Sequence, residues 1–152
     1  MITYLFVFLA GAAPGFEVLV AVPLGILRGM SIATAVVVGF AGNALTIILE
    51  IMVFQKLKTW WESKKKTDGK TPSKRTARAE KIWKRFGIPG LALLGPVLIG
   101  SHLAAFLALA LGSSKSQTAF WLLLSLAIWS IAFGTLTVFG VDAFFWTRQK
   151  IG

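Results

Sequence analysis

The sequence predicts an all-α integral membrane protein of two inverted repeats, each a re-entrant helical hairpin followed by a transmembrane helix. Hydrophobic residues make up 56% of the 152 residues, against about 45–50% in soluble domains. Each half of the chain has an apolar stretch broken by Pro and Gly, followed by a longer apolar stretch. A basic segment separates the two halves. Duplicated segments that are broken at membrane depth are typical of transport sites.

The first broken stretch covers residues 4–27 and contains Pro14, Gly15, Glu17 and Pro23. An uninterrupted span would place Glu17 near mid-bilayer, which costs about 2.5–3.5 kcal/mol on insertion scales. In a re-entrant hairpin, two arms of about 15 and 18 Å would instead meet at Pro14 and Gly15, near the middle of a ~30 Å core. The turn would then have to be buried in protein or line a cavity.

Residues 31–54 form the first predicted span, which would be about 36 Å long as a helix. Small and polar residues recur on one of its faces at helical spacing, as in membrane helices that pack closely and share polar groups. These residues are Ala35, Gly39, Asn43, Thr46 and Glu50.

The basic segment, residues 56–85, holds twelve of the sixteen Lys and Arg residues. A short basic loop beside a span is the positive-inside signal, so we expect a cytoplasmic loop in a multi-pass protein of the cell (plasma) membrane. Attraction to anionic membrane lipids follows from the same charge. The net charge of +10 is confined largely to this segment, which argues against nucleic acid as a partner.

The second half repeats the pattern, with a hairpin at residues 86–111 and a span at 118–145. The sequence allows two positions for the tip of this hairpin, Gly95-Pro96 or residues 100–102. The predicted organisation is a first membrane repeat at 1–55, the basic loop at 56–85 and a second repeat at 86–152. The rival arrangement is four plain spans with both ends inside, in which the prolines only kink the helices.

Polar side chains within the apolar stretches are the candidate site residues. Ionisable groups inside a membrane suggest function, whereas their structural alternatives are helix caps, interhelical hydrogen bonds or anchors at the interface. We expect substrate or proton binding at Glu17, Asn43, Glu50 and His102. We expect phosphate or headgroup binding at Arg28 and Arg85. The expected hairpin breaks are Pro14, Gly15, Pro23, Pro89, Gly90 and Pro96.

Catalysis and resident cofactors are not expected. The chain has no Cys and a single His, which excludes zinc thiolate sites, iron–sulfur clusters and His-based metal sites. Phosphate-loop, dinucleotide and metalloprotease motifs are missing from the sequence. No nucleophile, base and orienting group can be assembled from the residues.

Three segments resemble the small multidrug export protein family. They are GAAPGFEVLVAVPLGILRG at residues 11–29, AGN at 41–43 and FGIPGLALLGPVLIGSHLAA at 86–105. That family is similar to the DedA and VTT-type membrane proteins, which implies opposed re-entrant hairpins and the transport or flipping of lipid-linked or amphipathic molecules. The resemblance places Glu17 at the acidic position of the first hairpin. Arg85 resembles a DedA arginine, but the next DedA arginine has no match.

These observations predict an exporter of small hydrophobic or amphipathic molecules, proton-coupled, with a midplane site between two hairpins. A lipid or polyprenyl-phosphate flippase of the DedA type is the alternative within transport. A non-transporting membrane scaffold is the alternative from another class. We expect a homodimer, because so few helices shield a polar midplane poorly.

Overall fold

The computed structural model describes residues 1–68 and 74–151, and its side-chain description leaves aside residues 55, 57, 61–68, 75 and 144–151. Over these ranges the chain is helical and contains no strand. The helices are α1 (Ile2–Ala12), α2 (Glu17–Leu27), α3 (Ile32–Asp68), α4 (Lys74–Leu98), α5 (Ser101–Ala110) and α6 (Lys115–Ile151).

Two of the described helices are long and apolar enough to cross a membrane. They are the parts of α3 and α6 at Ile32–Phe54 and Lys115–Ala143, each with a mean hydropathy of 2.1. Large apolar side chains such as Val37, Met52 and Phe139 are exposed along them. Contact of these apolar side chains with lipid costs no hydrophobic free energy, whereas their contact with water would cost about 25 cal/mol per Å² of apolar surface. The prediction of an all-helical chain with two candidate membrane spans is confirmed.

Residues 4–27 form two helices rather than one rod. Helices α1 and α2 pack against each other across a turn at residues 13–16, so they make a helical hairpin. Gly15 has a φ of +94°, which a side chain would strain, and Pro14 has no N–H to leave unpaired. Each arm has 11 residues and is therefore about 16 Å long.

Pro23 does not break the chain, contrary to expectation, because α2 continues through it. A proline inside a helix removes one backbone hydrogen bond and crowds the carbonyl four residues earlier. Neighbouring helices can compensate for both effects in a membrane protein. Here Val22 and Gly25, on either side of Pro23, are buried against other residues of the hairpin and α3.

The second hairpin consists of the end of α4, a turn at Ile99 and Gly100, and α5. The turn requires Gly100, whose φ is +97°. The tip left open by the sequence therefore lies at residues 99–100. The arms approach closely at Gly95, where an added Cβ would lie 2.6 Å from the Cβ of Ala104.

The other break positions expected in this half fall inside α4. Gly90 and Pro96 lie in continuous helix, and Pro96 is fully buried. The helix is instead interrupted at Gly87, with φ +62° and ψ −154°, two residues before Pro89. The positive φ of Gly87 is one that glycine adopts without strain, and the fixed φ of Pro89 suits the first turn of the helix that follows. Pro89 thus lies near the start of a helix and not at a tip.

The same connection joins hairpin to long helix in both halves, 83 residues apart. The amides of Gly29 and Met30 donate to the carbonyls of Ile26 and Gly25, and those of Gly112 and Ser113 donate to Leu109 and Ala108. Both are Schellman caps with a glycine at positive φ. Ser31 and Ser114 then cap the following helices through the amides of Thr34 and Gln117. The two halves share this local structure.

The segment at 56–85, expected as a loop, is helical over its described part. Helix α3 continues to Asp68 and α4 begins at Lys74. Lys, Arg, Glu and Ala favour helix, so a segment rich in them extends the membrane helices beyond the apolar region. Positive charge at the end of a span indicates orientation and does not imply irregular structure.

The chain divides into two compact units, one made of residues 1–44 with 126–152 and the other of residues 45–125. In the first unit, α1 lies against α3 with almost no room between their backbones. A Cβ added to Gly11 would overlap the carbonyl oxygen of Gly39, and one added to Gly42 would overlap that of Phe8. Small residues allow membrane helices to approach in this way.

We predict that Gly42→Ala destabilises the protein. Its new methyl would meet the Phe8 backbone, and overpacking of this kind costs about 1–3 kcal/mol. Gly140→Ala is the matched control, because a Cβ there meets nothing within 4 Å. Thermal unfolding of the purified variants in detergent should show a lower midpoint for Gly42→Ala alone. Equal midpoints for the two variants would contradict the close approach of α1 and α3.

Candidate functional site

Glu17 is the first residue of α2, directly after the turn of the first hairpin. The residue is buried, with 3% of its surface exposed. Its neighbours along the sequence are apolar or are glycine and proline. Glu17 also has a φ of +50°, and it is the one non-glycine residue with positive φ in the described chain. Such a conformation costs about 1–3 kcal/mol and persists where the surrounding structure enforces it.

Asn43 is the other deeply buried polar residue predicted in the first unit. It lies on α3 with no exposed surface, beside Gly42, where α1 approaches most closely. An amide in this position can donate and accept hydrogen bonds at once, which suits either a substrate contact or a bridge between helices. The first unit therefore buries an acid and an amide within an apolar bundle.

Glu50 and His102 meet in the second unit. Glu50 lies on α3 and His102 is the second residue of α5, directly after the tip at Gly100. The imidazole Nδ1 is 2.9 Å from the Glu50 Oε2. The two side chains are only 15% and 14% exposed, so water screens this interaction little. The second hairpin tip, like the first, thus has an ionisable side chain in the first turn of its returning arm.

The two ring nitrogens of His102 differ in their hydrogen bonding, because only Nδ1 contacts Glu50. Nε2 is buried and has no hydrogen-bond partner among the described residues. A carboxylate bonded to one nitrogen of a histidine fixes the ring and its tautomer, leaving the other nitrogen available for chemistry.

Arg28 and Arg85 are both exposed, on surfaces of the first and second units respectively. The Arg28 guanidinium lies 4.0 Å from the centre of the Phe6 ring, at the open end of the first hairpin. The Arg85 guanidinium lies 5.2 Å from the Phe86 ring, just before the kink at Gly87. Stacking on an aromatic ring leaves the N–H edge of a guanidinium able to bind a phosphate.

Three hydroxyl groups on α6 are satisfied within their own helix. Ser130, Thr135 and Thr137 donate to the carbonyls four residues earlier, at 2.6, 2.8 and 2.6 Å. Such bonds are a common way to place hydroxyls in apolar surroundings. These residues therefore have a structural explanation and do not extend the candidate site.

Sequence reasoning names Glu50 and His102 separately but does not pair them. They are 52 residues apart, and no periodicity links two helices in that way. The burial of Ser101 and Thr118 in the second unit is also unpredicted. One feature of the sequence points to both residues: Glu50 is the one acidic residue in its apolar stretch, and His102 is the one histidine of the chain.

The chemistry of these groups is that of binding and proton exchange. In the part of the chain described by the structure, no three His, Asp or Glu side chains come close enough together to hold a metal ion. Glu17 and the Glu50–His102 pair can each carry a proton, neutralise a cation or accept a hydrogen bond.

Comparison with known proteins gives one match. A family model described as "Putative small multi-drug export protein" matches residues 17–132, which is well over half of the chain. The match contains Glu17, Asn43, Glu50 and His102. No curated protein and no solved structure matches the chain. The description of that family is of an export protein and not of an enzyme class, and together with the apolar helices it indicates a membrane protein. The chain belongs to this small multi-drug export protein family.

Proposed function

We propose that this protein exports small hydrophobic or amphipathic molecules across the cell membrane, with Glu17 as the binding and coupling acid. The observation that carries the proposal is the burial of Glu17 at a strained position, on the tip of a helical hairpin in a membrane protein. The family description supports the transport class. Ionisable residues inside membrane segments are most often found on substrate, ion or proton pathways.

The two hairpins are proposed to be re-entrant. Arms of about 16 Å reach only about half-way through a ~30 Å hydrocarbon core. A turn at that depth can exist only where protein or a cavity surrounds it. The close approach of α1 to α3 at Gly11 and Gly42 holds the arms of the first hairpin. Pro14, Gly15 and Phe16 of the turn itself are exposed in the single chain, so we propose that the turn lines a cavity or a contact with a second copy.

The backbone of Glu17 favours a role beyond packing. A left-handed backbone at a turn is adopted most readily by Gly, so a glycine at this position would avoid the strain. A carboxylate that meets a substrate or exchanges a proton during transport accounts for an acid at this position.

The proposal includes a membrane orientation and an assembly. The basic segment 56–85 lies in the cytoplasm, since twelve of the sixteen cationic side chains are there. The protein is a homodimer, since a chain with so few helices shields a polar midplane poorly. Membrane lipids and a small amphipathic substrate are the partners.

We predict that Glu17→Gln reduces the export of a hydrophobic fluorescent amine from proteoliposomes by at least tenfold. The amide keeps the size of the side chain but removes its charge and its ability to carry a proton. Asp142→Asn is the matched control, because Asp142 is an exposed acid near the end of α6. Its flux should equal that of the unaltered protein.

A non-transporting scaffold would give a different result in the same assay. It would show no flux above that of empty vesicles, with or without Glu17. If the unaltered protein transports and Glu17→Gln transports equally well, Glu17 is not part of the site and the proposal is wrong in its central residue.

A lipid flippase is the second candidate, and one feature of α4 favours it. Lys81, Lys84 and Arg85 line an open depression of about 560 Å³, together with Ala77 and Glu80. Three cations within two helical turns, just before the kink at Gly87, can bind a phosphate headgroup at the membrane surface. Arg28, near the other hairpin, is the corresponding exposed cation of the first unit.

Scrambling of a headgroup-labelled phosphatidylglycerol separates the two candidates. For a flippase, Arg28→Gln or Arg85→Gln should lower scrambling several-fold, whereas Arg78→Gln, an exposed cation of α4 outside the depression, should not. For the exporter we propose, the lipid is not scrambled above the rate of empty vesicles, and the arginine variants leave amine export unchanged.

A further inference from the structure

His102 presents a hydrogen-bond acceptor to the interior of the second unit. Its Nδ1 faces Glu50 Oε2 at 2.9 Å, and its Nε2 is buried without a partner among the described residues. An ionised carboxylate can only accept, so the proton of the neutral imidazole lies on Nδ1. The lone pair is then on Nε2. Glu50 therefore determines the tautomer, and the tautomer determines which substrate groups Nε2 can meet.

We propose that His102 Nε2 accepts a hydrogen bond from the N–H of a protonated amine, with Glu50 supplying the compensating negative charge. This inference rests on the proposed function and goes beyond it: besides Glu17 it assigns a second position that contacts the transported cation, and it names the substrate class as amphipathic amines that carry an N–H. A buried acceptor left without a donor costs about 1–3 kcal/mol, and a donor-bearing cation removes that cost. A quaternary ammonium ion satisfies the charge of Glu50 but cannot satisfy Nε2.

Selectivity for a donor is stronger than selectivity for size. A site with a buried polar group rejects ligands that leave that group unpaired, whereas a methyl group in an apolar pocket changes affinity only modestly. This selectivity requires that water cannot replace the missing donor. The His102 and Glu50 side chains meet that requirement, because they are only 15% and 14% exposed. The proposal therefore predicts discrimination between two cations of nearly equal size and equal charge.

The probes are an acridine with a dimethylaminoalkyl chain and its trimethylammonium homologue. Binding to the full chain in nanodiscs is measured by fluorescence at roughly pH 8, where a free tertiary amine is protonated and an ordinary imidazole is neutral. We expect the tertiary amine to bind at least tenfold more tightly, the scale of one hydrogen bond to a charged group.

His102→Asn is the discriminating variant. The asparagine amide can still donate to Glu50 from the place of Nδ1, but it has nothing in the place of Nε2. We expect the preference for the tertiary amine to fall to about one, while thermal stability changes little. Equal affinities in the unaltered protein, or a preference that survives in His102→Asn, would overturn the proposal.

The single histidine of the chain allows a direct reading of the tautomer. With ¹⁵N-histidine labelling, we expect a protonated Nδ1 and an unprotonated Nε2, and only the tertiary amine should shift the Nε2 resonance. A proton on Nε2 in the neutral ring would overturn the inference. These experiments measure binding and not transport. An absence of flux in vesicles would therefore count against the proposed export, whereas the role of His102 is tested by the two affinities alone.

Discussion

The requirement that no backbone polar group face lipid unpaired is the constraint on which the rest of this structure depends. Two hairpins with arms of only ten or eleven residues end in turns, and turns leave amides and carbonyls without helical partners. In the first unit the arms are held by close packing onto α3, where Gly11, Gly39 and Gly42 allow backbone to meet backbone. At the far ends of both hairpins, the same Schellman cap and serine cap pair the remaining groups.

The same constraint explains where polar side chains occur. The hydroxyls of Ser130, Thr135 and Thr137 on α6 bond to their own helix, and so need no partner elsewhere. Glu17 and His102 are different, because each lies in the first turn of a helix that follows a hairpin tip. A helix N-terminus favours negative charge, which suits Glu17. It does not favour a protonated imidazole, and His102 instead has Glu50 beside it. The proposed export site and the proposed amine selectivity both follow from these two placements.

The sequence predicts much of the fold, because hydrophobic length, Pro-Gly pairs and charge clusters act locally. Pro14 and Gly15 correctly indicate the first turn, and the two candidate spans follow from apolar length alone. Pro23 and Pro96 mislead, since a proline breaks a helix only where packing does not compensate for its missing bond. The tip at Ile99 and Gly100 was one of two possibilities, and the positive φ of Gly100 decides between them. The Glu50–His102 pair joins helices far apart in sequence, so only the folded chain reveals it.

Accessibility of single cysteines tests most directly whether the first hairpin enters and leaves on one side of the membrane. The chain has no cysteine, so Ile2→Cys and Arg28→Cys each introduce one reporter, at the two exposed ends of the hairpin. The account predicts that an impermeant maleimide applied to intact cells labels both positions. Labelling of one position from outside and of the other only after the cells are opened would show that residues 4–27 cross the membrane, and would contradict the account.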